Sequence, residues 1–271
     1  MCRIFGCVAR EPLSVRHDLL EAENPLIHQS EEHDSGWGMA VYKKAEGEDP
    51  RCMRFPEPAH ENDEFMEATS LQGRMFNVHV RRATVGGLAL ENTHPFCLGP
   101  YSFCHNGTIL RPQKLLEPGV SKPVGQTDSE HFFNFLMRDF DPEHPRGCLR
   151  KAVRAIIERS PFSGLNFLLS DGEKLYAYKL GIFGLHWAAR PGALVVASER
   201  LTESDTWHKV QDDVLLVLDR NKLDAPHAEH LVGERWMQRA EITPLEEGTH
   251  LRGEERGNFA AERAAKLAAE T

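Results

Sequence analysis

Short runs that mix apolar and polar positions at strand-like lengths recur along most of the chain. Runs of this kind cover 3–9, 39–43, 75–81, 101–105, 165–170, 174–179, 193–198 and 214–219. Two segments switch to the helical period. One opens at Thr127, where Thr127-Asp128-Ser129-Glu130 reads as a capping box, and continues through Phe132, Phe133, Phe135, Leu136 and Met137. The other spans 148–158 and lines up Leu149, Val153, Ile156 and Ile157 on one side. A third, weaker helical pattern covers 62–71. Blocks of strands interrupted by paired helices predict an α+β sandwich with helix-covered sheets rather than a regularly alternating parallel sheet. No internal repeat is present. One domain is expected over 2–252, followed by a charged, Ala-rich tail over 253–271 that reads as a solvated helix or a mobile end.

With 271 residues the chain can bury one full core. A net charge of -9, with Lys and Arg scattered rather than striped, argues against nucleic acid or an anionic membrane as partner and favours a small molecule or another protein. No apolar run is long enough to span a bilayer, and the first residues lack the apolar core of a signal peptide, so a cytoplasmic protein is expected. Six cysteines form no CxxC pair, which speaks against a zinc ribbon or redox dithiol and predicts free thiols in a reducing compartment. Among the histidines, His227 and His230 are the nearest pair to a metal motif, but no Cys cluster adjoins them. No metal and no cofactor are expected.

The chemistry centres on Cys2. Removal of Met1 would leave a thiol and a free α-amine on one residue, and a neutral amine can take the proton of its own side chain without a separate histidine. Cys7 has no adjacent base, and strand alternation puts it on the opposite face from Cys2. Arg81, with Arg82, Thr84, Gly86 and Gly87 behind it, reads either as a carboxylate clamp beneath a flexible loop or as a surface arginine in one. Asn106-Gly107 closes a strand and reads either as a tight turn or as an amide and an N–H aimed at an oxyanion. Asp128 falls in a helix's first turn, where a carboxylate is favoured on electrostatic grounds and could meet a ligand ammonium.

Taken in order, Cys2, Arg81-x-x-Thr84, Asn92-Thr93-His94-Pro95, His105-Asn106-Gly107 and Thr127-Asp128-Ser129-Glu130 resemble the class II glutamine amidotransferases, over roughly residues 2–220. The resemblance implies the N-terminal nucleophile (Ntn) hydrolase fold, an αββα sandwich of two antiparallel sheets between helical layers. It implies that Cys2 attacks a γ-glutamyl amide, that Asn106 and the Gly107 N–H hold the oxyanion, and that a thioester forms before water releases glutamate. It further implies Arg81 with Thr84 at the α-carboxylate, Asp128 at the α-ammonium, and His94 shaping the pocket. Asp34-Ser35-Gly36-Trp37-Gly38 and Ala197-Ser198-Glu199 are similar to other segments of these domains.

Two positions depart from the long synthases of the family, which carry Trp and His where this chain has Arg82 and Val85. The length leaves no room for a synthase domain, so the chain is expected to be of the stand-alone type. Glutamine or another γ-glutamyl compound is the implied ligand, glutathione included, with a separate ammonia-accepting or peptidase subunit as the implied partner. The rival reading is a non-catalytic module that binds glutamine and regulates a partner.

Overall fold

The computed structural model describes residues 2–43 and 49–244. Its first sheet contains β1 (Arg3–Leu13), β2 (Trp37–Tyr42), β3 (Arg51–Phe55), β4 (Gly73–Val80), β9 (His186–Arg190), β10 (Ala193–Ala197) and β11 (His208–Lys209). The second contains β5 (Phe96–Leu98), β6 (Tyr101–Asn106), β7 (Asn166–Ser170), β8 (Lys174–Lys179), β12 (Val214–Asp219) and β13 (Lys222–His230). Strand orders are β11-β9-β10-β1-β4-β2-β3 and β13-β12-β8-β7-β6-β5, and the ladders are antiparallel. The helices are α1 (Leu26–Gln29), α2 (Asp63–Thr69), α3 (Asp128–Arg138), α4 (Pro145–Arg159) and α5 (Glu234–Met237).

The alternation along β1 builds the layers. Phe5, Cys7 and Ala9 face outward into a core shared with Leu19, Leu26 and Phe65, from the helical turn His17–Glu21 and from α1 and α2. Ile4 and Val8 face inward and meet Cys104, Leu168, Leu175 and Leu216 of the second sheet. A third core packs Phe103, Phe167 and Tyr178 against Phe132, Leu149, Val153 and Ile156 of α3 and α4. Each of these fully buried aromatics contributes about 2–3 kcal/mol through removal from water. Four layers result, helices on sheet on sheet on helices, the order the family resemblance implies; the strand and helix blocks by themselves predict only helix-covered sheets. At Gly6 the sheets approach so closely that a Cβ would lie 2.4 Å from Leu175 Cδ2.

The structure differs from the sequence reading in detail. Strands β3, β5, β9, β11 and β13 are additions, and most are short or lie at sheet edges. In β13, Pro226 and charged residues mask the pattern. Helix α4 starts three residues earlier than predicted because Pro145 occupies its first turn. The box at α3 is half formed: Thr127 Oγ1 accepts from Glu130 N at 3.3 Å, whereas the Glu130 carboxylate accepts from Val124 N at 2.7 Å and Gly125 N at 2.8 Å. The expectation of six free thiols is corrected. Cys52 on β3 and Cys97 on β5 are disulfide-bonded, while Cys2, Cys7, Cys104 and Cys148 are free. These two sit 45 residues apart on the edges of different sheets, a proximity that only the sandwich creates. The predicted tail over 253–271 and the boundary at 252 lie outside the described residues.

Candidate active site

Cys2 precedes β1, and Arg81 follows β4, the strand beside it. Since Arg3 is registered with Val80, Cys2 falls opposite Arg81. Cys2 Sγ accepts from the Arg82 N–H at 3.4 Å and donates to the Arg82 carbonyl at 3.5 Å. Burial pushes the thiol up from its ordinary value; the Arg82 backbone hydrogen bond and the Arg81 charge pull it down, and Asp128 pushes it up. Ser198 fixes the start of β1, its hydroxyl accepting from Ile4 N at 3.2 Å.

The Arg81 guanidinium is 2% exposed and fully engaged at its two terminal nitrogens. Nη2 donates to the carbonyls of Val85 (3.0 Å) and Gly86 (3.1 Å), and Nη1 to those of Gly87 (3.0 Å) and Ser35 (3.5 Å). The loop after β4 therefore folds back onto the arginine that precedes it, a path that passes through Gly86 at φ +77°. Asn92 and Gln126 latch that loop: Asn92 Nδ2 donates to Gly87 O at 3.1 Å, Gln126 Oε1 accepts from Gly87 N at 3.1 Å, and Asn92 Oδ1 accepts from Gln126 N at 2.7 Å. Thr84 Oγ1 lies 3.0 Å from Thr108 Oγ1, tying the loop to the exit of β6.

At that exit stand Asn106 and Gly107. Cys104, two residues before Asn106 and on the same face of β6, lies within electrostatic range of Cys2. Asn106 Oδ1 is buried with no hydrogen-bond partner among the described residues. Gly107 is no ordinary hairpin turn: a Cβ there would stand 1.8 Å from Gly164 O. His105 Nε2 donates to Gly164 O at 3.1 Å, so its Nδ1 is the acceptor for the Ser129 hydroxyl at 2.9 Å. Burial brings this imidazole down to about 4 and keeps it neutral.

Asp128, the first residue of α3, accepts from Ile109 N at 2.7 Å through Oδ2, which lies 3.9 Å from His105 Nδ1. Desolvation raises its carboxyl from 3.8 to about 6, against the pull of backbone amides and of Arg81. His94 is stacked on His79 with ring centroids 4.1 Å apart and meets Phe96 edge-on at 4.6 Å. Both of its ring nitrogens are buried without partners, and burial holds it well below the usual histidine range.

Cys2, Arg81 and Asp128 thus share one electrostatic neighbourhood, with Thr84, Asn106 and Gly107 around the β6 exit. His94, stacked on His79, lies within electrostatic range of Arg81. Residues assigned no role from the sequence do much of the positioning: Asn92, Gln126, Ser35, His105 and Ser198. Asn92 and His105 lie inside the motifs quoted above, yet nothing in the spacing says that they bind backbone. A groove of 910 Å³ between α4 and the β8–β12–β13 end contains none of these residues. No helix among the described residues is long and apolar enough to cross a membrane.

Residues 1–190 match the family described as Glutamine amidotransferases class-II. The chain belongs to that family. A Methanocaldococcus jannaschii protein without assigned function is 30% identical over 190 residues, 66% of this chain and 51% of that protein, so the match spans about half its length. YafJ of Escherichia coli K12, provisionally named a glutamine amidotransferase, is 28% identical over 250 residues, 78% of this chain and 94% of YafJ. Among solved structures, a class II glutamine amidotransferase domain protein from Silicibacter pomeroyi superposes with a TM-score of 0.61 at 17% identity, covering 86% of this chain and all of that one. The αββα sandwich is the fold of these Ntn amidotransferases.

Proposed function

We infer that this protein hydrolyses a γ-glutamyl amide through a thioester on Cys2, releasing glutamate and ammonia or an amine. One observation carries the reading: the β1–β4 register sets Cys2 opposite the buried Arg81, and the buried carboxylate of Asp128 lies within electrostatic range of both. A cation and an anion flanking a nucleophile match the α-carboxylate and α-ammonium of a glutamyl head group.

The steps follow from those positions. After Met1 is removed, the α-amine of Cys2 takes the thiol proton, and Sγ adds to the γ-carbonyl carbon. The Gly107 N–H and the Asn106 amide stabilise the oxyanion, each such donor contributing about 3–4 kcal/mol in the transition state. The C–N bond breaks, and the ammonium of Cys2 returns its proton to the leaving nitrogen. Water then attacks the thioester by the same route, giving glutamate and the free thiol. The substrate carboxylate exchanges for loop carbonyls now on Arg81, so head-group binding is coupled to the loop over residues 82–89, with Thr84 beside it. His94 walls the pocket.

Intact mass should show Met1 absent from active protein. The Met1-trimmed chain should release glutamate from glutamine, glutathione or another γ-glutamyl amide. Failure with all of them would end the hydrolase reading and leave a ligand-binding module.

A further inference from the structure

Arg82 is the unexplained charge of this site. Its backbone embraces the Cys2 sulfur, yet its half-buried side chain has neither ion pair nor hydrogen bond among the described residues, and Nε is fully buried without a partner. A buried guanidinium nitrogen without an acceptor costs free energy that a native protein rarely leaves uncompensated. Arg81, its neighbour, is saturated by four carbonyls, which makes the contrast specific. The two arginines also diverge. In β4, which ends at Val80, His79 faces the second sheet and Val80 the outer core; continuing that alternation through Arg81 directs the Arg82 side chain to the outer side. Arg82 therefore leaves Cys2 on the side away from the Arg81–Asp128 head-group site.

A second orphan lies near it. His33 is 2% exposed, its Nδ1–H donates to Gln29 O at 2.6 Å, and its Nε2 is a bare acceptor with no partner. Desolvation, Arg3 and Arg82 are among the causes that bring its imidazole down to about 3, so it stays neutral and offers a lone pair only. One donor cation and one neutral acceptor, both unsatisfied, complement a group that carries a carboxylate beside an N–H. The amine half of a γ-glutamyl amino acid or peptide has that composition; ammonia, the amine half of glutamine, does not.

We propose that Arg82, backed by His33, is the subsite for the leaving amine, and that the substrate is a γ-glutamyl amino acid or peptide bearing a carboxylate on its amine side. The inference rests on the hydrolase reading for its chemistry but not for its binding. In the reaction Sγ–C forms, C–N breaks, and the thiol proton passes through the Cys2 α-amine to the leaving nitrogen. Arg82 holds the departing carboxylate throughout, and His33 accepts an N–H of the departing amine.

The test compares γ-glutamyl-alanine with γ-glutamyl-ethylamide, which differ by that carboxylate alone. For the Met1-trimmed protein, kcat/KM should favour the alanine compound by at least about tenfold, mainly through KM, as expected for a charge-assisted contact. In Arg82→Gln the ratio should fall to near one, and Arg82→Lys should restore part of it. A ratio near one in the unaltered protein, or one that Arg82→Gln leaves intact, overturns the proposal. Calorimetric titration of Cys2→Ala with both compounds separates the two readings. A binding preference that vanishes in Cys2→Ala/Arg82→Gln supports the subsite even if nothing is turned over, in which case only the hydrolase reading fails. Equal binding of both compounds overturns the subsite even if hydrolysis is observed.

Discussion

The sulfur of Cys2 rests on the backbone of Arg82, 3.4 Å from its nitrogen and 3.5 Å from its carbonyl oxygen. The N–H stabilises a thiolate, whereas the carbonyl can only accept from a thiol. With burial pushing the group up, the protonated form is the resting one and a base must act when substrate arrives.

Cys2→Ala should therefore abolish turnover while sparing recognition. A fall in kcat of about four orders of magnitude or more is expected, as for removal of any nucleophile that works as a unit with its base. Glutamate release measures the first part and calorimetry with glutamine the second. Equal loss of binding would contradict the separate roles given to the sulfur and to the head-group site.

The loop over 82–89 depends on Arg81 from below and on Asn92 and Gln126 from the side. Asn92→Ala removes the bonds to Gly87 O and Gln126 N, a loss of about 2 kcal/mol at ordinary values per bond. Amide exchange at Val85 to Gly87 should quicken by about tenfold or more, and KM should rise with a smaller change in kcat. Arg81→Ala should weaken binding further, because it strips the carbonyls of their donor along with the charge. Unchanged exchange in Asn92→Ala would mean that Arg81 and Gln126 hold the loop without Asn92.

Much of this arrangement is legible in the sequence, for reasons that differ by residue. The strand-like runs 3–9 and 75–81 place Cys2 and Arg81 at neighbouring strand ends once the strands pair, and the helical period after Thr127 places Asp128 at a helix start. What the sequence hides is long-range. That Asn92 reads Gln126, that Gly107 backs onto Gly164 beside the β6–β7 ladder, and that Cys52 meets Cys97 across the two sheets all depend on segments far apart in the chain meeting in the fold. No periodicity encodes such a contact. Glu130 is the instructive case: the local rule for a capping box is met in the sequence, yet its carboxylate is drawn to the amides of Val124 and Gly125, which order the segment entering α3.

Asn106 and Gly107 should respond to substitution in opposite ways. Asn106→Ala deletes a buried carbonyl oxygen that has no partner, so stability should hold or rise slightly while kcat falls about 10²- to 10³-fold, with KM little changed. Gly107→Ala drives a Cβ into Gly164 O at 1.8 Å, and neither backbone can yield without disturbing β6 and β7. It should unfold at markedly lower denaturant as well as lose activity. Urea melts beside kinetics separate the two, and an Asn106→Ala protein with normal kcat would remove Asn106 from the oxyanion.

Asp128 ties the site to pH. Its carboxyl sits at about 6 in the folded chain against an ordinary 3.8, with desolvation as the main cause. The folded state thus holds this proton more tightly than the unfolded one, so the contribution of Asp128 to stability is present below about pH 4 and is lost as pH rises through about 6. The two-unit difference corresponds to about 3 kcal/mol. Asp128→Asn, which keeps an oxygen for Ile109 N, should match the unaltered protein near pH 4 and be more stable at pH 7. Function runs the other way. A ligand ammonium needs the ionised carboxylate, so kcat/KM should climb with pH through about 6, and Asp128→Asn should lose at least about a hundredfold in affinity for glutamine by forfeiting a charge-assisted bond. Urea melts at pH 4 and pH 7, with a pH–rate profile for each protein, provide the measurement. If both proteins show the same stability difference at both pH values, the desolvated carboxylate is not what makes this site sensitive to acid.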